Sequence, residues 1–448
     1  MDQKAKPAWN SILDTKLDTV LVVADLVDKN KKKQEMEDYI KFKDMYDVVK
    51  QFVIEKHLVL YGGTALNEIL PEKSKFYPRE QLPDYDFFSY SAKEHAKELG
   101  DLLLAKGYNY IEVKSGIHPG TYKVFAEFQP VADVTDINRD FYEYMVTYSV
   151  LNNRKNQSDE KLVVSPFVFL KWSLYSEMCR IGSIHRWEKL VPRYKAFHQA
   201  YKLKRQPDQE QILQIGGDVA SSQMDDLMTK AVNKLHVFVR SRNYPVVGMF
   251  GTTLHMAKDK KPNYQLSKMK PDDASSYLDI LTLNLQTTFA EITQAFEEEA
   301  ATDNFKIVLS GSKSSMSEIV PYRCSLMIKV KGIATPFPFC RLLQVEDICC
   351  AVQNVRGYKV GTPDTILQYL YAFYMVYGHD VDDGTNAQRM EWVKQRIITF
   401  ERFIDRNLPR TSQRLTLECF GKEKTLLDIR KDMWGKKLFV YRPKATNV

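Results

Sequence analysis

The chain of 448 residues is too long for one ordinary hydrophobic core, so size alone divides it into two or three domains. Its 44% hydrophobic, 27% charged and 12% aromatic residues exclude the disordered and fibrous classes. No apolar run reaches the roughly 18–20 residues of a membrane span, the longest candidate being broken by Asp25 in VLVVADLV.

The formal charge is +7, of which +6 lies in residues 401–448, and a second basic run, KNKKK, fills 29–33. Each is either a solvated face or a surface that tracks phosphates. The chain begins with no secretory signal, and its six cysteines form no C-x-x-C pair, which predicts free buried thiols in a reducing compartment. The eight histidines never fall at ligand spacing with another His or Cys, so zinc is not indicated.

In chain order, the three- and four-residue spacing of apolar positions predicts helices from Ile12 to about Phe52, interrupted by the Lys-rich turn at 29–33. HLVLYGG then reads as a short apolar strand ending on two glycines, and TALNEIL restarts a helix. DYDFF is a strand, SAKEHAKELGDLLLAKG an amphipathic helix, and YNYIEV, TYKVFAEF and VADVTDI three more strands. The fold class is α/β (α+β): a mixed, antiparallel-leaning sheet with flanking helices.

Residues 161–225 are helical again. From 226 the order helix, strand, glycine, helix, strand, strand recurs, with PDDASSYLDILTLNLQTTFAEITQAFEEEA read as helix. Polar linkers fall around 153–160, 204–222 and 379–388. The boundaries are 1–55 for N-terminal helices, 56–160 for a core, 161–225 for a helical segment and 226–448 for a second copy of the core with a basic tail. Laid over the first, that copy sets FGTTLH on YGGTAL and PNYQLS on PDYDFFS, which places Asn263 and Gln265 where the first copy has Asp84 and Asp86.

On a strand, Asp84 and Asp86 face the same way, roughly 6–7 Å apart. Their repulsion is relieved by a bridging cation, and hard oxygen donors suit Mg²⁺ or Mn²⁺. Just upstream, Gly62, Gly63 and Thr64 join a strand to a helix N-terminus, where backbone N–H groups and a hydroxyl favour phosphate. A second ion needs a third acid, supplied by Asp133 with Asp136 as its rival. Lys171 is either a phosphate contact or a solvated helix lysine. Arg186, Lys189 and Arg193 share a helix face that lines an RNA path or stays solvated. Trp187 beside them reads as core rather than as a stacking platform.

A glycine pair, a D-x-D and a later strand aspartate resemble the signature of the DNA polymerase β-like nucleotidyltransferase superfamily. More narrowly, LYGGTALN, SKFYPREQLPDYDFFS, HPGTYKVFAEF, PVADVTDI and HRWEKL resemble the catalytic poly(A) polymerase of large cytoplasmic DNA viruses, the group of the African swine fever and mimivirus enzymes. The resemblance is dense over residues 57–195 and thin elsewhere. It implies a nucleotidyltransferase fold followed by a degenerate copy, and it selects Asp133 as third acid, completing a two-ion site with Asp84 and Asp86.

It further implies ATP as substrate, an mRNA 3′ end as acceptor, Gly62, Gly63, Thr64 and Lys171 on the nucleotide, and host cytoplasm with packaging in the virion as location. A homodimer and a separate processivity subunit both agree with it. The alternatives are another RNA terminal nucleotidyltransferase and a non-catalytic RNA-binding or processivity protein. The three intact acids of the first copy speak against the last.

Overall fold

The computed structural model describes residues 9–150, 162–203, 222–257, 278–311 and, with breaks at 317–318, 320–322, 335, 346, 380–384, 408–415, 417 and 437, residues 316–444. The linkers read around 153–160, 204–222 and 379–388 lie largely outside these residues, and Asn263 and Gln265 lie outside them altogether.

Helix α1 (Trp9–Glu55) runs unbroken through the Lys-rich segment where the sequence suggests a turn. The stretch holds no glycine or proline, and its charges pair one turn apart: Lys29 with Asp25, Lys31 with Glu35 and Lys33 with Glu37. Among the described residues no helix is long and apolar enough to cross a membrane.

The first sheet unit follows as β1 (Val59–Tyr61), α2 (Gly62–Ile69), β2 (Asp86–Ser89), α3 (Ala92–Ala105), β3 (Glu112–Ser115), β4 (Thr121–Ala126), β5 (Gln129–Asp136), α4 (Arg139–Thr147) and β6 (Val163–Val164). Helices α5 (Phe167–Met178) and α6 (Trp187–Ala200) come next. The second unit begins with α7 (Ser222–Ser241), β7 (Val246–Val247), α8 (Gly248–Met256), β8 (Leu278–Thr282), α9 (Leu285–Ala295) and α10 (Glu297–Thr302). It continues with β9 (Phe305–Gly311), β10 (Arg323–Val330), β11 (Phe337–Gln344), β12 (Cys349–Val355) and β13 (Tyr358–Gly361). The chain ends with α11 (Pro363–His379), α12 (Thr385–Asn407), β14 (Cys419–Gly421), α13 (Leu426–Met433) and β15 (Val440–Tyr441).

Six strands of the first sheet, in the order β3-β4-β5-β2-β1-β6, are matched by β9-β10-β11-β8-β7-β13 in the second. The pairing directions agree at every step: β1 is antiparallel to β2 and parallel to β6, as β7 is to β8 and β13, and β2 is parallel to β5, as β8 is to β11.

The register of this repeat differs from the one read in the sequence. Tyr61 pairs with Asp86, and Val247 pairs with Asp279, so Gly62 corresponds to Gly248 and Asp86 to Asp279. Both glycines follow an extended residue and adopt positive φ, +74° and +62°. The sequence overlay of YGGTAL on FGTTLH is therefore out by three residues. Residues 278–282, read as part of a helix, are a strand buried at all five positions.

One buried cluster runs through both units, and Tyr175 of α5 stacks on Tyr371 of α11 with ring centres 5.7 Å apart. The C-terminal stretch ties the units again: β14 joins β12 beside a disulfide between Cys349 and Cys419, and β15 joins β3. That disulfide corrects the expectation that all six cysteines are free. Among the described residues the other four cysteines form no disulfide. Part of the tail's basic charge is also committed internally, with Arg442 paired to Glu112, while Phe439 and Tyr441 lie under Lys93 and Lys97.

Candidate active site

The acids meet where β2 enters the sheet. Asp86 and Asp133 are register partners on the parallel strands β2 and β5, both half-buried. Asp84 is not on the strand; it precedes β2, exposed, with its carbonyl accepting from the Asp86 N–H at 3.2 Å. The intervening Tyr85 carbonyl accepts from the Asp133 N–H at 2.9 Å, which ties the loop to the third acid's strand.

Burial is the main cause that lifts the Asp86 carboxyl to about 8, followed by repulsion from Asp84 and then Asp133. Asp84 is raised as well: although its residue surface is open to solvent, protein packed around the carboxyl desolvates it first, and repulsion from Asp133 comes second. Lys123, Arg186 and Arg193 oppose these shifts, so all three cations lie within electrostatic reach of the acids. Lys123 is the register partner of Asp133 across β4 and β5, and its Nζ stands 2.5 Å from Asp133 Oδ2.

The glycine turn abuts the acids directly. A Cβ on Gly62 would lie 2.5 Å from Asp86 Oδ2. A Cβ on Gly63 would strike the Tyr77 hydroxyl and lie 3.1 Å from an Arg193 guanidinium nitrogen. Arg193 donates to that hydroxyl at 2.9 Å, its guanidinium 4.9 Å from the Phe76 ring centre and 5.3 Å from that of Tyr77. Both glycines belong to the first turn of α2, whose backbone N–H groups lack intrahelical partners. A side chain at Gly62 would displace the Asp86 carboxylate, and one at Gly63 would displace the Tyr77 hydroxyl.

Two predicted roles change. The Thr64 hydroxyl donates to the Asp84 carbonyl at 2.6 Å, so it fixes the acid-bearing loop rather than pointing at a phosphate. Lys171 is neither a phosphate contact nor solvated: it is 1% exposed, with Nζ 2.8 Å from Glu401 Oε1 and 3.2 Å from His198 Nδ1. An ammonium so deep in the core is tolerated because a carboxylate faces it.

Of the proposed RNA-path residues, Arg193 sits at the glycine turn, Arg186 is anchored to Glu177 at 2.7 Å, and Lys189 is exposed. Trp187 is half-buried against the core, as read. Tyr77 and Lys123 were missed. Lys123 stands opposite Asp133 only once strand register is known, whereas Tyr77 lies in the quoted SKFYPREQ stretch. A cavity of about 660 Å³ opens behind the turn, lined by Thr64, Asn67, Tyr77, Lys43 and Lys50 among others, but none of the three acids lines it.

The donor set suits a divalent ion: carboxylates that repel one another beside the unpartnered first-turn N–H groups of α2. Among the described residues no three such side chains already stand together as a ligand group, and Lys123 holds one oxygen of the third acid.

Comparison with known proteins places a match over the segment that carries the three acids and the glycine turn. Residues 47–180 match the family model of the poly(A) polymerase catalytic subunit. That stretch holds Gly62, Gly63, Asp84, Asp86 and Asp133, and the resemblance read in the sequence is borne out there. Over 107 residues the chain is 37% identical to a putative poly(A) polymerase catalytic subunit of African swine fever virus (isolate Pig/Kenya/KEN-50/1950), covering 24% of this chain and 22% of the relative. Over 92 residues it is 34% identical to the one of Acanthamoeba polyphaga mimivirus, covering 20% and 16%. The chain thus spans about a fifth of the length of the relatives it matches. The fold is similar over nearly the whole chain to the crystal structure of the Megavirus polyadenylate synthase, with a TM-score of 0.70 at 16% identity, covering 98% of this chain and 86% of that one.

Proposed function

We propose that the chain is a template-independent polymerase that transfers AMP from ATP to RNA 3′ ends. The observation that carries this reading is that Gly62, at the N-terminal end of α2, backs onto Asp86, the register partner of Asp133.

Asp84, Asp86 and Asp133 would hold Mg²⁺ or Mn²⁺. When bound, such ions supply charge neutralisation at the phosphates and a lowered pKa for the RNA 3′-hydroxyl. The first-turn N–H groups of Gly62 and Gly63, with Arg193 beside them, take the triphosphate. Tyr77 holds Arg193 in place, and Thr64 holds the loop that bears Asp84. The 3′-oxygen forms a bond to the α-phosphorus, the bond from that phosphorus to the α–β bridging oxygen breaks, pyrophosphate leaves, and the hydroxyl proton passes to solvent. In this reading no side-chain general base is required.

The second unit supports the first and does no chemistry. At the position of Asp133 it carries Arg341, whose Nε is 2.6 Å from Asp279 Oδ1, so the one carboxylate in register is already neutralised. A dimer or a processivity subunit remains compatible with this division.

The test is extension of a labelled oligo(A) primer with each nucleotide in turn and Mg²⁺ or Mn²⁺, using wild type and Asp84→Asn. Adenylate addition by wild type alone is the expected result. Absence of ATP incorporation by wild type sinks the proposal, and preference for another nucleotide moves the chain to a different terminal transferase.

A further inference from the structure

Helix α6 touches both the glycine turn and the buried Lys171–Glu401 ion pair that joins α5 to α12. Arg193 reaches the Gly63 turn through Tyr77. One residue on, the Tyr194 hydroxyl lies 3.1 Å from that of Tyr175. A further turn on, His198 lies between Lys171 of α5 and Asp405 of α12, 3.2 Å from each. A lysine ammonium can only donate, so His198 Nδ1 accepts from Lys171 and Nε2–H donates to Asp405.

The centre of the knot is Glu401 of α12. Its Oε1 accepts from Lys171 at 2.8 Å, from Tyr175 at 3.0 Å and from Tyr371 at 2.8 Å. Both charged partners are buried, at 1% and 5% exposure. A buried ion pair contributes little net stability over apolar packing, but when intact it admits one arrangement of its neighbours and penalises others. Here the neighbours are α5, α6, α11 and α12, drawn from both halves of a chain in which Lys171 and Glu401 stand 230 residues apart.

We propose that Glu401 is a positioning residue for the nucleotide site. It fixes α6 against the second unit in the one placement that brings Arg193 to the glycine turn. The inference rests on the polymerase reading for its substrate, and through it the non-catalytic unit holds the triphosphate-facing arginine from behind.

The test uses the full-length protein and a double-mutant cycle between Glu401→Gln and Arg193→Ala. Glu401→Gln keeps an acceptor for the tyrosine hydroxyls and removes the charge. Asp405→Asn, at a half-exposed site, is the milder companion if the first variant does not fold. Three quantities are read: the dissociation constant for ATP by titration with Mg²⁺, KM against kcat on an oligo(A) primer, and amide exchange in residues 187–200. Glu401→Gln is expected to weaken ATP binding about tenfold, with kcat nearly unchanged and faster exchange in α6. In the Arg193→Ala background it should weaken ATP binding no further. Asp405→Asn should act in the same direction, less strongly.

Independent, additive losses in the cycle would overturn the proposal, as would unchanged ATP affinity despite faster exchange in α6. Failure of the polymerase reading is separately visible, since wild type would then add no adenylate to the primer while ATP binding and exchange still report on the clamp.

Discussion

The glycines that open α2 and α8 make a paired experiment. At Gly62 the backbone sits at φ +74°, and an added Cβ would meet Asp86 Oδ2 at 2.5 Å. At Gly248 φ is +62°, and the Cβ would strike Asp279 Oδ2. For alanine the left-handed conformation costs about 1–2 kcal/mol at either position.

The remainder differs between the two. Asp86 is half-buried, and its carboxylate can swing away from the intruding methyl. Asp279 is 1% exposed and paired with Arg341 at 2.6 Å, so movement there breaks a buried ion pair, worth about 3–5 kcal/mol when one partner is lost. Gly62→Ala should therefore destabilise the protein by only about 1–2 kcal/mol yet abolish primer extension, because the displaced group is the proposed metal ligand. Gly248→Ala should cost the larger amount and leave the activity of the molecules that remain folded near wild type. Thermal unfolding and chemical denaturation give the stabilities, and oligo(A) extension normalised to folded protein gives the activity. Equal stability losses, or an active Gly62→Ala enzyme, would refute the reasoning.

Three further outcomes follow from the same geometry. Because the Asp86 carboxyl is raised to about 8, metal-free folded protein retains a proton that the unfolded chain releases near pH 4. Stability should therefore fall as pH rises from about 4 to 8, by up to about 1.4 kcal/mol per unit, and Asp86→Asn should flatten that fall in melting curves recorded with chelator. Arg341→Ala strands a buried carboxylate and should cost about 3–5 kcal/mol, with Asp279→Asn partly restoring stability in the Arg341→Ala background. Reduction, or Cys419→Ser, should loosen β14 at a cost of about 2–4 kcal/mol, seen as a lower melting temperature, with thiol counting before and after reduction confirming the pairing.

The first unit was legible because its chemistry lies at local punctuation. β1 is a wholly apolar run stopped by two glycines, and the β5 segment shows enough alternation to place Asp133 on a face. The second unit hid its equivalent acid because β8 is a central strand buried on both faces. LDILT therefore shows no alternation and continues without a break into the helical pattern of α9. Asp279 was lost with that strand, and the overlay then settled on the wrong glycine, Gly251, which is inside α8 and packs against Ile366. Lys171 failed for another reason: its position on α5 says nothing of a carboxylate 230 residues away. The unbroken α1 was masked by a cluster of lysines that looks like a turn until their i,i+4 acids are counted.

The two units solve one electrostatic problem in opposite ways. Each puts a left-handed glycine against an aspartate at the mouth of its second strand, and each sets a parallel strand beside that aspartate. In the second unit that neighbour is Arg341, which neutralises Asp279 from within and lets the carboxylate be fully buried. In the first it is Asp133, which adds a like charge, keeps the site partly open and raises the Asp86 carboxyl. Lys123 offsets only part of that charge from the far side of Asp133, leaving Asp84 and Asp86 in excess. In the proposed reading the first unit therefore gives up stability where it would accept a cation. The contacts of Lys171, His198, Glu401 and Asp405 then set the placement, rather than the stability, of the helix bearing Arg193 against the unit whose own charges are balanced.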